Sequence, residues 1–403
     1  MREKLSNLEI AKRGTEVVMN TYSRLPIAMV GGEGAWVWDI ENNRYLDFVT
    51  GLAVNSLGYK HPEIVAAIQK QADQIVHTSN LYWIPSQVEL AESLVNNSFA
   101  DKVFFCNSGA EANEAAIKLA RKYAKRKYGP DKYEVISMEN SFHGRTLATL
   151  TATGQSKYQV GYEPLPSGFS YIGLNNVAEL KNKVNNHTAA VLIEPIQGEG
   201  GIYPASWEFL QLARELCDQY GALLIFDEVQ CGLGRTGKLF AYEWSGVSPD
   251  VMTLAKALGG GVPIGAMLAT DEVAGAFQPG DHASTFGGNY LATAAGQAVL
   301  KALLADGFLP AVEQKAEYFS SGLKKLAAKY GLETELRGRG FMLGWEIGNH
   351  ALELVGTCRA KGLLLNCVGG KILRFLPPLT VTQQELDLAL DILNQALGEV
   401  AGE

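Results

Sequence analysis

No stretch of 18 or more apolar residues occurs in this 403-residue chain; the longest candidate, Ala257 to Ala269, is broken by glycines and by Pro263. A membrane-spanning helix is therefore not expected. The opening MREKLSNLEIAKRG has no apolar centre, which argues against a secretory signal. Cysteine is scarce: five residues (Cys106, Cys217, Cys231, Cys358, Cys367) are scattered, with no C-x-x-C pair. This excludes a disulfide framework and reads as reduced, mostly buried thiols of a cytoplasmic protein. Positive charge is also short, with 35 Lys and Arg against 43 Asp and Glu, a net of −8. That balance argues against a nucleic-acid or membrane-surface partner, while leaving room for a locally basic pocket. No His or Cys cluster has metal-ligand spacing, so no metal is expected. Internal repeats, low-complexity tracts and flexible linkers are all lacking.

Apolar residues, by contrast, make up 47% of the chain, and its 43 glycines gather in short runs between apolar segments. Such a composition buries well, and at this length two or three sub-domains are expected. The middle of the chain alternates two patterns. DKVFFCN (101–107), YEVISME (133–139), AAVLIEP (189–195), ALLIFDEVQ (222–230) and DVMTLAK (250–256) read as short strands buried on both faces. GAEANEAAIKLARKYAKRK (109–127) and WEFLQLARELCDQYG (207–221) have helical period, the second ending on Gly221. This alternation predicts an α/β fold around a mostly parallel sheet. Further on, helices are expected over roughly 288–330, with antiparallel strands in 335–347 and 371–378. GAWVWDIENNRYLDF (34–48) predicts a hairpin turning at Asn42-Asn43. The expected division is a large domain, 60–295, and a smaller α+β domain built from 1–59 and 296–403.

GLGRTG (232–237) follows a strand and satisfies G-x-G-x-x-G, and Asp250 lies at a plausible distance for a ribose-binding acid. An NAD-dependent oxidoreductase is the rival reading these features support. Polar residues Asp227 to Gln230 intervene before the turn, however. The following KLFAYEWSGVSP makes a poor crossover helix, and Leu239 stands where a P-loop needs Ser or Thr. A glycine-rich connection beside an active site is the better reading.

Three features carry chemistry together. Lys256 closes the apolar TLAK beside a run of glycines, at the strand end where open α/β sheets bind ligands. Burial would lower its pKa and let it form an imine. Alone it would read as a snorkelling surface lysine. Asp227 ends ALLIFD, and a carboxylate there is costly without a cationic partner such as a pyridinium nitrogen. Alone it could be a helix cap or a metal ligand. Asn107-Ser108-Gly109-Ala110 joins a strand to a long helix, and its amides and hydroxyl would hold an anion; the plain alternative is an N-cap.

The longer blocks around these residues resemble the class III (subgroup II) aminotransferases, pyridoxal-phosphate enzymes of fold type I. NTYSRLPIAMVGGEG (20–34), FFCNSGAEANEAAIKLAR (104–121), SFHGRT (141–146), EPIQGEGG (194–201), FDEVQCGLGRTG (226–237), TLAKALGGGVPIGAM (253–267), STFGGN (284–289) and LRFLPPL (373–379) carry the likeness across nearly the whole chain. The resemblance implies a seven-stranded, mostly parallel sheet and one pyridoxal 5'-phosphate per subunit, joined to Lys256 as a Schiff base. It implies that Asp227 pairs with the pyridinium nitrogen and that Gln230 bonds the ring's phenolic oxygen. Val229 and Phe142 would pack on the two ring faces, with Glu228 also among the cofactor contacts. Ser108, Gly109 and Ala110 would hold the phosphate, completed by Thr285 of a partner subunit in a homodimer with shared sites. Ser284 and Arg145 would bind substrate, Arg145 at the carboxylate far from the reacting amine.

The implied reaction moves the δ-amino group of N2-acetyl-L-ornithine to 2-oxoglutarate, in arginine biosynthesis. Thr50-Gly51-Leu52-Ala53 lacks the tyrosine with which ornithine enzymes of the family read a free α-amine, which favours an acylated donor. Succinylornithine, succinyldiaminopimelate, ornithine and 4-aminobutyrate are the alternatives. One arginine cannot serve both carboxylate positions of the two donors. Arg374, in ILRFLPP, is the candidate for glutamate's α-carboxylate, and Glu199, in QGEGG, the candidate cover for Arg374 when that carboxylate is missing. The plainer alternative for this pair is a fixed salt bridge.

Overall fold

The computed structural model describes residues 5–332 and 334–401. Residues 1–4, part of the stretch read above for a secretory signal, lie outside them. The centre is a seven-stranded sheet in the order Lys102–Cys106, Gly265–Ala269, Val251–Leu254, Leu223–Asp227, Thr188–Ile193, Glu134–Met138, Phe169–Ile172. Gly265–Ala269 runs antiparallel to both its neighbours, and the other strands share one direction. Leu223–Asp227 and Thr188–Ile193 are buried at every position. Their sequences are accordingly apolar without alternation, because helices cover both faces.

Those helices follow from local sequence. Gly109–Tyr128 buries Ala112, Ala115, Ala116, Leu119, Ala120 and Tyr123 along one face. Its small residues let the backbone lie close against Leu192, Leu223 and Ile225. Trp207–Tyr220 starts where the Ser206 hydroxyl accepts from Phe209 N and stops at Gly221, φ 63°. It covers Val191, Ile193, Leu224 and Phe226, the alternate side chains of the same strands.

Two four-stranded sheets flank this layer. One orders Met29–Glu33, Trp36–Asp39, Arg44–Asp47 and Leu363–Leu364; the other orders Glu335–Arg339, Met342–Glu346, Ile372–Phe375 and Asn366–Val368. In the expected hairpin the turn is tied by Asp39, whose carboxylate accepts from the amides of Glu41 and Asn43. The short strand Leu363–Leu364 runs parallel to Arg44–Asp47, so both chain ends build one sheet. A single apolar cluster joins Phe48, Leu90, Leu254, Val299, Phe319, Trp345, Phe375 and Leu393. The core thus runs without a break across 59/60 and 295/296. Among the described residues no single helix is long and apolar enough to cross a membrane.

The GLGRTG segment is not a nucleotide loop leading into a crossover helix. Leu233, Gly234 and Gly237 turn it at φ 54°, 83° and 95°, and only the short turn Ala241–Trp244 follows. Asp250 is occupied elsewhere, 2.9 Å from the Arg214 guanidinium and accepting from Leu224 N. The oxidoreductase reading is corrected on both counts.

Candidate active site

The strand ends of the large sheet and the start of the helix Gly109–Tyr128 surround a cavity of about 430 Å3. Ser108, Gly109, Ala110, Phe142, Arg145, Asp227, Val229, Gln230 and Lys256 all line it. Ser108 caps the helix, its hydroxyl accepting from Glu111 N at 3.2 Å. The amides of Gly109 and Ala110, first in the helix, have no intrahelical acceptor and open on the cavity. Gly109 must lack a side chain, since a Cβ there would come within 2.8 Å of Val229 Cγ1.

Asp227 ends its strand as the sequence reading expects, and it is held from three sides. Oδ2 accepts from Asn113 Nδ2 at 2.8 Å and lies 2.7 Å from His143 Nδ1, while Oδ1 accepts from Val229 N at 3.0 Å. Asn113 Oδ1 in turn accepts from Thr253 Oγ1 at 2.8 Å. His143, Asn113 and Thr253 are buried, and sequence reasoning gave none of them a role. Glu194, at the end of VLIE, was likewise unassigned. It lines the same cavity and accepts from Phe142 N at 3.1 Å and Gly198 N at 3.2 Å. Burial pushes its pKa up to about 7, with the nearby Asp227 charge adding to the rise and His143 opposing it.

Lys256 differs from expectation in one respect. Its strand ends at Leu254, and Lys256 opens a tight turn, Lys256–Gly259, at φ 42°. That backbone is unfavourable for a residue with a Cβ, and strain of this kind clusters at functional positions. Burial pulls the Lys256 amine below its usual range, against the pull of the Glu199, Asp227 and Glu194 carboxylates.

Arg145 is exposed at the cavity rim, its guanidinium 4.1 Å from the centre of the Tyr158 ring. Among the described residues it makes no ion pair. Arg374 is its opposite: 1% exposed, with Nη1 2.6 Å from Glu199 Oε1 and donating to Gln230 Oε1 at 3.2 Å. Burial works against ionisation of Glu199, yet the Arg374 guanidinium and its hydrogen bond hold the carboxyl below its usual range.

Five predicted site residues do not line the cavity: Glu199 and Arg374, which pair with each other, and Glu228, Ser284 and Thr285. Glu228 turns away, its carboxylate accepting from Ala241 N at 2.6 Å and Tyr242 N at 2.7 Å, and burial pushes its pKa up to about 8. Its expected place among the cofactor contacts is corrected accordingly: the side chain braces the loop behind them. Ser284 Oγ accepts from Asn107 Nδ2 at 3.1 Å beside the cavity, and Thr285 is exposed.

The site therefore combines a helix start whose first amides lack intrahelical acceptors, the amine of Lys256, the buried carboxylate of Asp227, and the apolar side chains of Phe142 and Val229 around one cavity. This donor set fits a planar, phosphorylated pyridine aldehyde. Among the described residues no group of three or more His, Cys, Asp or Glu could hold a metal ion. Residues 17–397 match the family described as aminotransferase class-III. The chain is 55% identical over 384 residues to acetylornithine aminotransferase of Caldanaerobacter subterraneus subsp. tengcongensis, covering 95% of this chain and 98% of that protein. It is 49% identical over 385 residues to acetylornithine aminotransferase of Methanocaldococcus jannaschii, covering 95% and 96%. Among solved structures, ornithine aminotransferase from Toxoplasma gondii superposes with a TM-score of 0.95 at 32% identity, over 99% of this chain and 96% of that one. N-acetylornithine aminotransferase from Stenotrophomonas maltophilia gives 0.83 at 38% identity, over 97% and 98%.

Proposed function

Because the chain belongs to the class-III aminotransferases, we propose that it moves the δ-amino group of N2-acetyl-L-ornithine to 2-oxoglutarate. The products are N-acetyl-L-glutamate 5-semialdehyde and L-glutamate. When bound, pyridoxal phosphate supplies the electron sink for the carbon that loses its proton. Ser108, Gly109 and Ala110 would hold its phosphate, Asp227 its ring nitrogen and Gln230 its ring hydroxyl, with Phe142 and Val229 on either side. The Asn113, His143 and Val229 donors fix the Asp227 carboxylate in place, so its charge needs no reorganisation during the reaction. Lys256 would attach the cofactor, and its amine, once released, would be the group positioned to take up and return the substrate's proton. Its depressed pKa keeps more of the amine neutral, as a base must be.

The observation that carries the choice of donor is the unequal state of the two arginines. Acetylornithine has one carboxylate, distant from the reacting carbon, and Arg145 at the rim is free to take it. Glutamate has a second, next to the reacting carbon, and Arg374 is the group suited to it once Glu199 moves aside. Arg374→Ala should then slow the glutamate half-reaction by about 30- to 1000-fold, the range for losing a buried charged partner. The acetylornithine half-reaction should change by less than about fivefold. Glu199→Gln should favour glutamate at the expense of acetylornithine. Single-turnover rates for each half-reaction decide this, and equal losses in both would leave only a fixed salt bridge.

A second reading is free ornithine as donor, favoured by the close superposition on the Toxoplasma enzyme. Steady-state specificity across acetylornithine, succinylornithine, ornithine, succinyldiaminopimelate and 4-aminobutyrate separates the two.

The working unit we propose is a homodimer, with Thr285 completing the partner's phosphate site. Leu81, Trp83 and Phe286 support it, at 85%, 87% and 60% exposure, because apolar side chains this bare invite a covering surface. Dilution that dissociates the dimer should remove activity and cofactor retention together; a fully active monomer on sizing would contradict it. The division at 59/60 and 295/296 remains our proposal for the domains. The free state of all five cysteines supports a reducing compartment, the cytoplasm.

A further inference from the structure

The proposed function leaves the GLGRTG segment without a task, and Arg235 at its centre is 0% exposed. Among the described residues no carboxylate pairs with it. Nη1 donates to Pro377 O at 2.6 Å and Phe341 O at 3.2 Å, Nη2 donates to Ser56 Oγ at 2.9 Å, and Nε has no partner. The Arg235 carbonyl accepts in return from Phe341 N at 2.9 Å. A cation resting on neutral acceptors is a costly way to fill space, and an apolar side chain would pack more cheaply. Burial pulls its pKa to about 9, so it stays charged at neutral pH.

The three acceptors belong to segments far apart in sequence. Ser56 follows the hairpin, and its carbonyl accepts from Leu379 N at 2.7 Å. Phe341 sits at the turn between Glu335–Arg339 and Met342–Glu346, where a Cβ on Gly340 would overlap the Thr236 backbone. Pro377 lies three positions beyond Arg374. The loop from Gln230 to Arg235 therefore grips the Arg374 segment twice, through Gln230 on the Arg374 guanidinium and through Arg235 on Pro377 O.

We propose that Arg235 is a positioning residue that seats the strand Ile372–Phe375 against the Gln230 loop, and so sets the Arg374 fork for donors bearing an α-carboxylate. This rests on the role of Arg374 proposed above. Arg235→Met keeps the length and removes the donors. Its half-saturating glutamate concentration should rise roughly tenfold or more, while that for acetylornithine stays within about threefold. Arg235→Lys keeps the charge with fewer donors and should fall between the two; it carries the same comparison if Arg235→Met does not fold. Independently of activity, amide hydrogen exchange over residues 372–379 should quicken in Arg235→Met while Leu223–Asp227 keeps its protection. Equal losses for both donors, or unchanged exchange over 372–379, would overturn the seating role. Normal reaction of Arg374→Ala with glutamate is a different result, and overturns the role of Arg374 itself.

Discussion

Lys256→Ala is expected to abolish turnover, by about 10,000-fold or more, the upper range for a positioned proton carrier. The size follows from what surrounds the amine. Among the described residues Lys256 is the only lysine lining the cavity, so no second amine there stands ready to replace it. Its burial already favours the neutral form that attaches a carbonyl. The strained turn at φ 42° aims this one residue at the space between Asp227 and the helix start, and alanine keeps the turn while removing the reach. Purified wild-type protein should be yellow, and borohydride should fix the cofactor to it covalently. The alanine variant should show neither lasting fixation nor activity. Covalent retention after borohydride in Lys256→Ala would place the attachment at another residue.

Asp227→Asn should cost on the order of hundreds-fold in rate. The amide keeps the shape but not the charge that would hold a proton on a pyridinium nitrogen. Removing one member of a buried ion pair costs roughly 3–5 kcal/mol, and each ~1.4 kcal/mol is a decade in rate. The neighbours sharpen the effect. Asn113 Nδ2 and Val229 N donate to the carboxylate, and His143 Nδ1 lies against it. An asparagine must turn its own NH2 toward one of these groups, leaving that contact unmade or repulsive. A loss below tenfold, measured with saturating cofactor, would show that Asp227 does not face the ring nitrogen.

Much of this site was legible because its parts are local. Asp227 ends a run of apolar residues, and Ser108 stands between a strand and a helix, so each announces its position from its neighbours. Asn113 could also have been found: it is an amide on the alanine-rich face of Gly109–Tyr128, where a polar group must be satisfied. His143 and Thr253 were not legible in the same way. Their partners lie 84 and 140 residues away, and no spacing along the chain encodes such a meeting. The strand Gly265–Ala269 was hidden by its own requirements. A Cβ on Gly265 would overlap the Ser108 carbonyl, so the position is glycine and the segment loses its β signature. Leu363–Leu364 is too short to show any period.

That two-residue strand has a consequence for the order in which the protein can be made. Leu363 pairs with Leu46, 317 positions earlier. A ribosome adding roughly 5–20 residues per second separates their emergence by about 16–63 s. Throughout that interval the Arg44–Asp47 strand is an open edge, with Trp36–Asp39 paired on its other side. Unpaired edges of this kind recruit other chains. The first sheet to be synthesised is therefore among the last to be finished, and any chain released before residue 363 keeps that edge bare. Holding the early hairpin apart from its neighbours on the polysome is a task the sequence sets for the cell's chaperones.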